Sequence, residues 1–167
     1  TNAEFAAAMG ADILLLNNEV PEEVNAEAIK IAKKYGVKCI LNPAPARKTS
    51  DYIIDNVALF TPNEHETLGI EDKENVVMTL GAKGCLIKST GETVPGVKCG
   101  TVVDTTGAGD TFNGVLTALL ANGYDIKNAA RIANSVAALG VTRKYAVSSI
   151  PSFEEIDDII RKTSNIS

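Results

Sequence analysis

Apolar runs and amphipathic stretches alternate along the first half of the chain. Residues 11–17 (ADILLLN) and 37–42 (VKCILN) are continuous apolar runs, which are typical of parallel strands covered on both faces. Between them, apolar residues recur at helical spacing from Pro21, which suits a first turn, to Gly36, which suits a helix end. This segment is therefore predicted to be a helix. Two further strands are predicted at residues 57–63 and 75–80.

The second half of the chain begins with a hairpin pattern and continues as helices. Residues 84–89 and 92–97 are two strand-like segments on either side of Thr90 and Gly91, which suit a turn. This arrangement predicts two antiparallel strands. The last helix is marked by a capping box, in which Ser152 is followed three residues later by Glu155. Two other helices are predicted, from about 110 to 120 and from 126 to 139, the second rich in small residues.

This alternation predicts an α/β fold, a three-layer α/β/α sandwich of the Rossmann-like type around a mostly parallel sheet. We predict a single domain over residues 1–167. Only residues 71–74 separate Leu68-Gly69-Ile70 from the next predicted strand, whereas a parallel crossover needs about a dozen residues or more. Either this connection is not a crossover, or residues are missing near 70–75.

Composition narrows the class of partner. The chain has 16 Lys and Arg against 21 Asp and Glu, a net charge of -5, and no basic cluster, which argues against a nucleic-acid surface. Its apolar runs are too short to span a bilayer, so no membrane partner is expected. Cys39, Cys85 and Cys99 form no CxxC pair, which indicates reduced thiols and predicts a cytoplasmic location.

The most informative motif is DTTGAGDTF, residues 104–112, in which a turn of small residues opens into an amphipathic helix. Gly107 and Gly109 allow backbone conformations closed to other residues and let a phosphate approach closely. The N–H groups at the start of a helix lack partners, and the helix dipole favours an anion there. We therefore expect the N–H groups of Gly109, Asp110 and their neighbours to form an anion site.

Asp110 stands at the same helix start. Its carboxylate would repel a phosphate unless it faced a proton donor, and a substrate hydroxyl is such a donor. This pattern favours Asp110 as the base of a phosphoryl transfer. The alternative is a glycine turn that Asp110 merely caps. The chain has no GxxxxGK[ST] motif, and Phe112 stands where a GxGxxG motif needs its third glycine.

Three other segments place polar residues near predicted strand ends. In TPNEHE, Asn63 and Glu66 could hold Mg²⁺ through water, or could form a purely capping arrangement. In TLGAKG, the strand leads into a glycine turn, which alone is more typical of a strand-to-strand connection. In NNE, Glu19 could bind sugar hydroxyls or simply begin the next helix.

Taken in order, the segments NNEVP, LNPAPA, TPNEHE, TLGAKG, DTTGAGDTFNG and VTRKYAVSSIP resemble the ribokinase family of carbohydrate kinases, also called the PfkB family. The resemblance implies the fold of that family and ATP-dependent phosphorylation of D-ribose to ribose 5-phosphate. It implies that Asp110 is the catalytic base, that Gly107 to Gly109 help form the anion hole, and that Glu19 contacts the sugar. Asn63 and Glu66 match the family's NxxE motif, which is tied to Mg²⁺ and phosphate.

The resemblance also implies nucleotide and cation sites. The positions that match the nucleotide site are Asn63, Thr79, Gly81, Lys83, Gly84 and Asn134. The positions that match the ligands of a monovalent cation, usually K⁺, are Asp104, Thr106, Gly140, Arg143 and Ser149, several of them through backbone carbonyls. Tyr145 departs from the glycine that is usual in this loop.

The family's N-terminal half, with its lid strands and most of its sugar contacts, has no counterpart in this sequence. We therefore expect a C-terminal catalytic fragment, whose full-length form is a homodimer through the lid. The alternatives are another sugar or nucleoside kinase of the family, or a fragment that binds nucleotide without turnover.

Overall fold

The computed structural model describes residues 10–164, which fall into two compact units. Among these residues, unit 1 comprises residues 10–79 and 88–91, and unit 2 comprises residues 80–87 and 92–164. No helix in the described part of the chain is both long and apolar enough to cross a membrane.

Unit 1 contains a parallel sheet in the order β1-β2-β3. Strands β1 and β2 pair in register from Ile13 with Lys38 to Asn17 with Asn42, and β2 continues onto β3. Parallel bridges join Phe60 to Val76 and Asn63 to Thr79. The elements are β1 (Ile13–Asn17), α1 (Glu22–Lys34), β2 (Lys38–Asn42), α2 (Asp51–Asn56), β3 (Leu59–Phe60) and β4 (Val77–Thr79).

The core of unit 1 is aliphatic with one aromatic ring. Ile29 of α1, Leu41 of β2, Ile53 of α2 and Phe60 of β3 are all almost completely buried against one another. Their burial removes large apolar surfaces from water, which is the main driving force for folding. The amphipathic pattern of α1 is thereby explained, because its apolar stripe covers the sheet.

Two expectations for unit 1 were wrong in detail. The strand predicted at residues 57–63 contains only Leu59–Phe60, since Val57 still caps α2, with its N–H bonded to Ile53 O, and Pro62 has no N–H to donate. The apolar strand β1 is only partly buried along its length, because within the described residues it is an edge strand that pairs with β2 alone. The predicted α1 and β2 are confirmed.

Unit 2 combines a hairpin with a set of helices. Strands β5 and β6 pair antiparallel from Gly84 with Pro95 to Ile87 with Glu92, as predicted. Helix α4 packs against α3, α6 and both hairpin strands, and its fully buried Ala129 and Ala133 allow the close approach expected from its small residues. The elements are β5 (Gly84–Ile87), β6 (Glu92–Pro95), α3 (Ala108–Ala121), α4 (Ile126–Gly140), α5 (Ala146–Ser149) and α6 (Phe153–Ser164).

Candidate active site

The start of helix α3 is an open helix N-terminus. Gly107 occupies the N-cap position with φ 77° and ψ 3°, a left-handed conformation that glycine adopts without strain. Thr111 N–H donates to Gly107 O at 2.9 Å, and Ala108 N–H donates to Thr105 O at 3.2 Å. No side chain in the described part of the chain caps the helix. The N–H groups of Gly109 and Asp110 thus lie in a first turn that favours an anion.

Asp110 is solvent-exposed in this first turn, as is Gly109, whereas Gly107 and Ala108 are half-buried. The N-cap is Gly107 and carries no side-chain hydrogen bond, so the alternative in which Asp110 caps the helix has no support. An added Cβ on Gly109 would meet nothing within 4 Å, which leaves space beside the turn for a ligand. The carboxylate is therefore free to accept a proton from a bound hydroxyl.

The loop before α3 is fixed by Asp104. Its carboxylate accepts the N–H of Thr106 at 2.9 Å and the N–H of Tyr145 at 3.2 Å. The Thr106 N–H first, and the Tyr145 N–H after it, lower the pKa of Asp104 below its usual value. The N–H of Asp104 donates in turn to Val141 O at 3.2 Å. Asp104 thereby links the glycine turn to residues 141–145.

The residues predicted to surround a monovalent cation lie in the loop before α3 and in residues 140–149, all of them in unit 2. Gly140 is buried, and an added Cβ would lie 3.5 Å from Ser149 O. The guanidinium of Arg143 binds both carboxylate oxygens of Glu155, which lowers the pKa of Glu155 and raises that of Arg143. A guanidinium has no lone pair to offer a cation, so only the main-chain oxygen of Arg143 is available to one. Carbonyl and carboxylate oxygens are suitable ligands for such a hard ion.

The predicted nucleotide residues of unit 2 surround the β5–β6 hairpin. Gly81 begins a single 3₁₀ turn and Lys83 ends it, both exposed to solvent. Gly84 has φ 99°, and an added Cβ would lie only 2.0 Å from Val94 O, so glycine is required here by packing. The side-chain amide of Asn134 donates to Val94 O at 3.4 Å and approaches Cys85 Sγ at 3.7 Å. Both contacts are made by Nδ2, so Asn134 Oδ1 takes no part in them.

In unit 1, Asn63 and Glu66 bind each other. Glu66 accepts the backbone N–H of Asn63 at 2.9 Å and its side-chain amide at 2.7 Å. Asn63 Oδ1 accepts the N–H of His65 at 2.8 Å. This is the geometry of a capping box, although no helix follows it. Thr79, next to Asn63 across the parallel bridge, donates its N–H to Pro62 O at 2.8 Å.

Glu19 lies in the exposed loop that follows β1. Its N–H donates to Asn17 Oδ1 at 3.1 Å. The neighbouring Asn18 is 5% exposed and donates its N–H to Ala44 O at 2.8 Å, in the loop that follows β2. Arg47 contacts the same loop and lies in none of the motifs from which the site was predicted. A single arginine after LNPAPA carries no periodic signal, and only its placement beyond a strand end could have indicated it.

Comparison with known proteins assigns the family. Residues 1–152 match the model of the pfkB family carbohydrate kinases, and the chain belongs to this family. It is 36% identical over 160 residues to the ribokinase of Lactococcus lactis, covering 87% of this chain and 53% of that protein. It is 39% identical over 167 residues to the ribokinase of Haemophilus influenzae, covering 87% of this chain and 54% of that protein.

The fold is shared with solved ribokinases. A structure of Arabidopsis thaliana ribokinase complexed with ribose and ATP has a TM-score of 0.83 at 26% identity, covering 96% of this chain and 58% of that one. Thermotoga maritima ribokinase has a TM-score of 0.82 at 32% identity, covering 96% and 60%. The predicted α/β fold and family are thereby confirmed. The chain spans about half the length of the curated relatives it matches.

Proposed function

We propose that this chain carries the phosphoryl-transfer machinery of an ATP-dependent sugar kinase that converts D-ribose to ribose 5-phosphate. The observation that carries the proposal is the open first turn of α3, where a left-handed Gly107 exposes uncapped N–H groups beside the carboxylate of Asp110. An anion site and a base adjoin one another there. The ribokinase relatives, one of them solved with ribose and ATP, support the choice of substrates.

The chemistry follows from these groups. The N–H groups of the first turn and the dipole of α3 stabilise negative charge on the transferring phosphoryl group. Asp110 accepts the proton of the sugar's primary hydroxyl. The oxygen of that hydroxyl attacks the γ-phosphorus of ATP, and ADP leaves. A carboxylate of low basicity suffices, because the transfer depends mainly on positioning and charge stabilisation. Glu19 supplies a hydrogen-bond acceptor for sugar hydroxyls.

The nucleotide is assigned to the residues at the hairpin and at the end of β4, namely Asn63, Thr79, Gly81, Lys83, Gly84 and Asn134. Gly81 and Gly84 keep the backbone free of side chains, and Lys83 offers a cation to the phosphates. Asn134 retains its Oδ1 as an acceptor beyond the amide bond to Val94. These roles rest on the family motif together with the exposure of Gly81 and Lys83.

Two metal ions fit the residues present. Glu66 keeps free lone pairs beyond the two bonds from Asn63, so these residues would hold hydrated Mg²⁺ through water, and that ion would neutralise phosphate charge. The oxygens of Asp104, Thr106, Gly140, Arg143 and Ser149 would hold K⁺ beside the anion site. The hydrogen bonds from Thr106 and Tyr145, which lower the pKa of Asp104, favour the carboxylate form that a cation would bind. The homodimer of the full-length protein and its cytoplasmic location remain predictions.

The decisive experiment compares Asp110→Asn with the unsubstituted chain in two measurements. Titration with ATP reports nucleotide binding, and a coupled assay with D-ribose, Mg²⁺ and K⁺ reports ADP release. We expect the substitution to reduce ADP release by about 10²-fold or more, the usual contribution of a positioned base, and to leave ATP affinity nearly unchanged. Asp72→Asn removes the same charge from an exposed turn and serves as the control.

Other outcomes distinguish the alternatives. ATP binding without ADP release by the unsubstituted chain would favour a nucleotide-binding fragment. Faster ADP release with D-fructose or with adenosine than with D-ribose would favour another member of the family. Full activity in Asp110→Asn would refute the assignment of the base.

A further inference from the structure

Arg47 connects the loops that follow β1 and β2. Its Nη1 donates to Asn18 O at 3.2 Å and to Val20 O at 2.7 Å. These two carbonyls belong to the residues on either side of Glu19. One guanidinium nitrogen thus holds the main chain immediately before and immediately after the carboxylate that is assigned to the sugar.

The position of the Arg47 side chain leaves one of its nitrogen atoms without a hydrogen bond. Its Nη2 is buried and has no hydrogen-bond partner within the described residues. Burying an unpaired donor of a charged group is unfavourable, so the side chain gains its stability from the two bonds of Nη1 and from the packing of its stem. Charged donors form stronger bonds to carbonyl oxygens than neutral donors do.

Further hydrogen bonds from Asn18 to the loop that follows β2 hold the same segment. Asn18 N–H donates to Ala44 O at 2.8 Å, and Asn18 Nδ2 donates to Pro45 O at 3.3 Å. Glu19 itself remains exposed, with its carboxylate outside this set of bonds. The loop therefore has a fixed backbone and a free acidic side chain, which is the arrangement that preorganises a ligand contact.

We propose that Arg47 is a positioning residue, which sets the conformation of the Asn18–Val20 loop so that Glu19 meets the sugar hydroxyls. The proposal rests on the assignment of Glu19 to the sugar in the function proposed above. Arg47 acts through Glu19 and makes no contact with the substrate. Its loss should therefore impair sugar binding only as far as Glu19 contributes to it.

The test is a double-mutant cycle on D-ribose affinity, measured by calorimetric titration of the full chain. Arg47→Met should weaken ribose binding about tenfold to a hundredfold, the effect expected of a misplaced contact. The double variant Glu19→Gln/Arg47→Met should bind no more weakly than Glu19→Gln alone. Arg47→Lys, which can still donate to both carbonyls, should recover part of the loss. Lys48→Met, at the exposed neighbouring position, should have no effect.

Amide hydrogen exchange of Asn18 provides a readout that does not need the sugar. Arg47→Met should accelerate exchange at Asn18 and leave the core amide of Leu41 unchanged, which also shows that the variant is folded. Unchanged ribose affinity in Arg47→Met, together with a loss in Glu19→Gln, overturns the positioning role and leaves the proposed function standing. Absence of ribose binding by the unsubstituted chain would agree with the expected lack of most sugar contacts, and the exchange at Asn18 then decides whether Arg47 holds the loop. In that case, an unchanged exchange rate of the Asn18 amide in Arg47→Met refutes the proposal that Arg47 holds the loop.

Discussion

Tyr145 is held in a backbone conformation that residues with a Cβ rarely adopt. Its φ is 69° and its ψ is 143°, and it is the only non-glycine residue of positive φ in residues 10–164. The residue as a whole is 73% exposed, so side-chain packing does not hold the backbone in this conformation. Two hydrogen bonds hold the backbone of Tyr145 in this conformation. Its N–H donates to the carboxylate of Asp104, and Ser149 N–H donates to Tyr145 O at 3.1 Å.

Replacing this residue by glycine should therefore stabilise the protein. Such strain costs about 1–3 kcal/mol, and the extra chain entropy of glycine offsets about 0.5–1 kcal/mol of the gain. We expect Tyr145→Gly to raise the melting temperature by about 2–4 °C, as follows from a net gain near 1 kcal/mol in a chain of this size. Tyr145→Phe keeps the strain and should melt as the unsubstituted chain does. A lower melting temperature for the glycine variant would contradict the argument.

Some residue-scale features could be inferred from the sequence and others could not. The motif around Asp110 was readable because glycine, a small-residue turn and an amphipathic helix are local signals. The contact of Asp104 with Tyr145 joins residues 41 positions apart, and that of Arg47 with Asn18 joins residues 29 apart. Neither has a local signature, since each depends on which loops the sheet and helices bring together.

At the scale of the element, the two glycines at the start of α3 serve different ends. Gly107 has a left-handed φ of 77°, and an added Cβ would lie 3.3 Å from Ala146 Cβ. Gly109 has helical backbone, and an added Cβ would meet nothing within 4 Å. The first glycine is required by the fold, whereas the second leaves open the space in which an anion would bind.

The same substitution at the two positions should separate these roles. Gly107→Ala should lower the free energy of unfolding by about 1–2 kcal/mol, the cost of a Cβ in left-handed backbone. Gly109→Ala should raise the free energy of unfolding by up to about 0.5–1 kcal/mol, because alanine loses less chain entropy in helical backbone. It should weaken ATP binding, because its methyl group would occupy space beside the first-turn N–H groups. Urea unfolding and ATP titration check the pair. Unimpaired ATP binding by Gly109→Ala would show that the phosphate lies elsewhere.

Elements with strong local signals were predicted correctly. The capping box of α6 is present as expected: Ser152 N–H donates to Glu155 Oε2 at 2.9 Å, and Glu155 N–H donates to Ser152 Oγ at 3.4 Å. The short helices α2 and α5 were missed, since four to six residues are too few to show a helical period. The partial burial of β1 was missed because an apolar run does not reveal which strands flank it.

At the scale of the whole molecule, the fold class was predictable because strand and helix patterns alternate along the chain. The connection near residues 70–75 contains no helix; turns carry the chain from Thr61 to the parallel bridge at Val76. All three cysteines are free, as predicted, and Cys99 is exposed. Cys39 in unit 1 and Cys85 in unit 2 are buried. Each unit therefore contains one buried thiol that reports on its unfolding.

These thiols predict how stability changes at alkaline pH. Burial raises the pKa of Cys39 and of Cys85 from 9.0 to about 11, because a thiolate is poorly solvated in an apolar core. Below pH 9.0 both thiols are neutral whether folded or unfolded, and their contribution to stability is fully present. Above that pH only the unfolded chain loses the protons, so the free energy of unfolding falls until the folded thiols ionise as well.

The decline should show in melting temperatures measured between pH 8 and about 10.5, a range that spans the thiol pKa of unfolded chains. The informative quantity is the difference in slope between variants rather than the slope itself. Cys39→Ala and Cys85→Ala should each flatten the decline, although the lost packing lowers stability at every pH. Cys99→Ala, a substitution at an exposed position, is the matched control and should leave the slope unchanged. Equal slopes in all three variants would mean that the buried thiols ionise as easily in the folded protein as in the unfolded one. The burial of Cys39 and Cys85 would then be wrong.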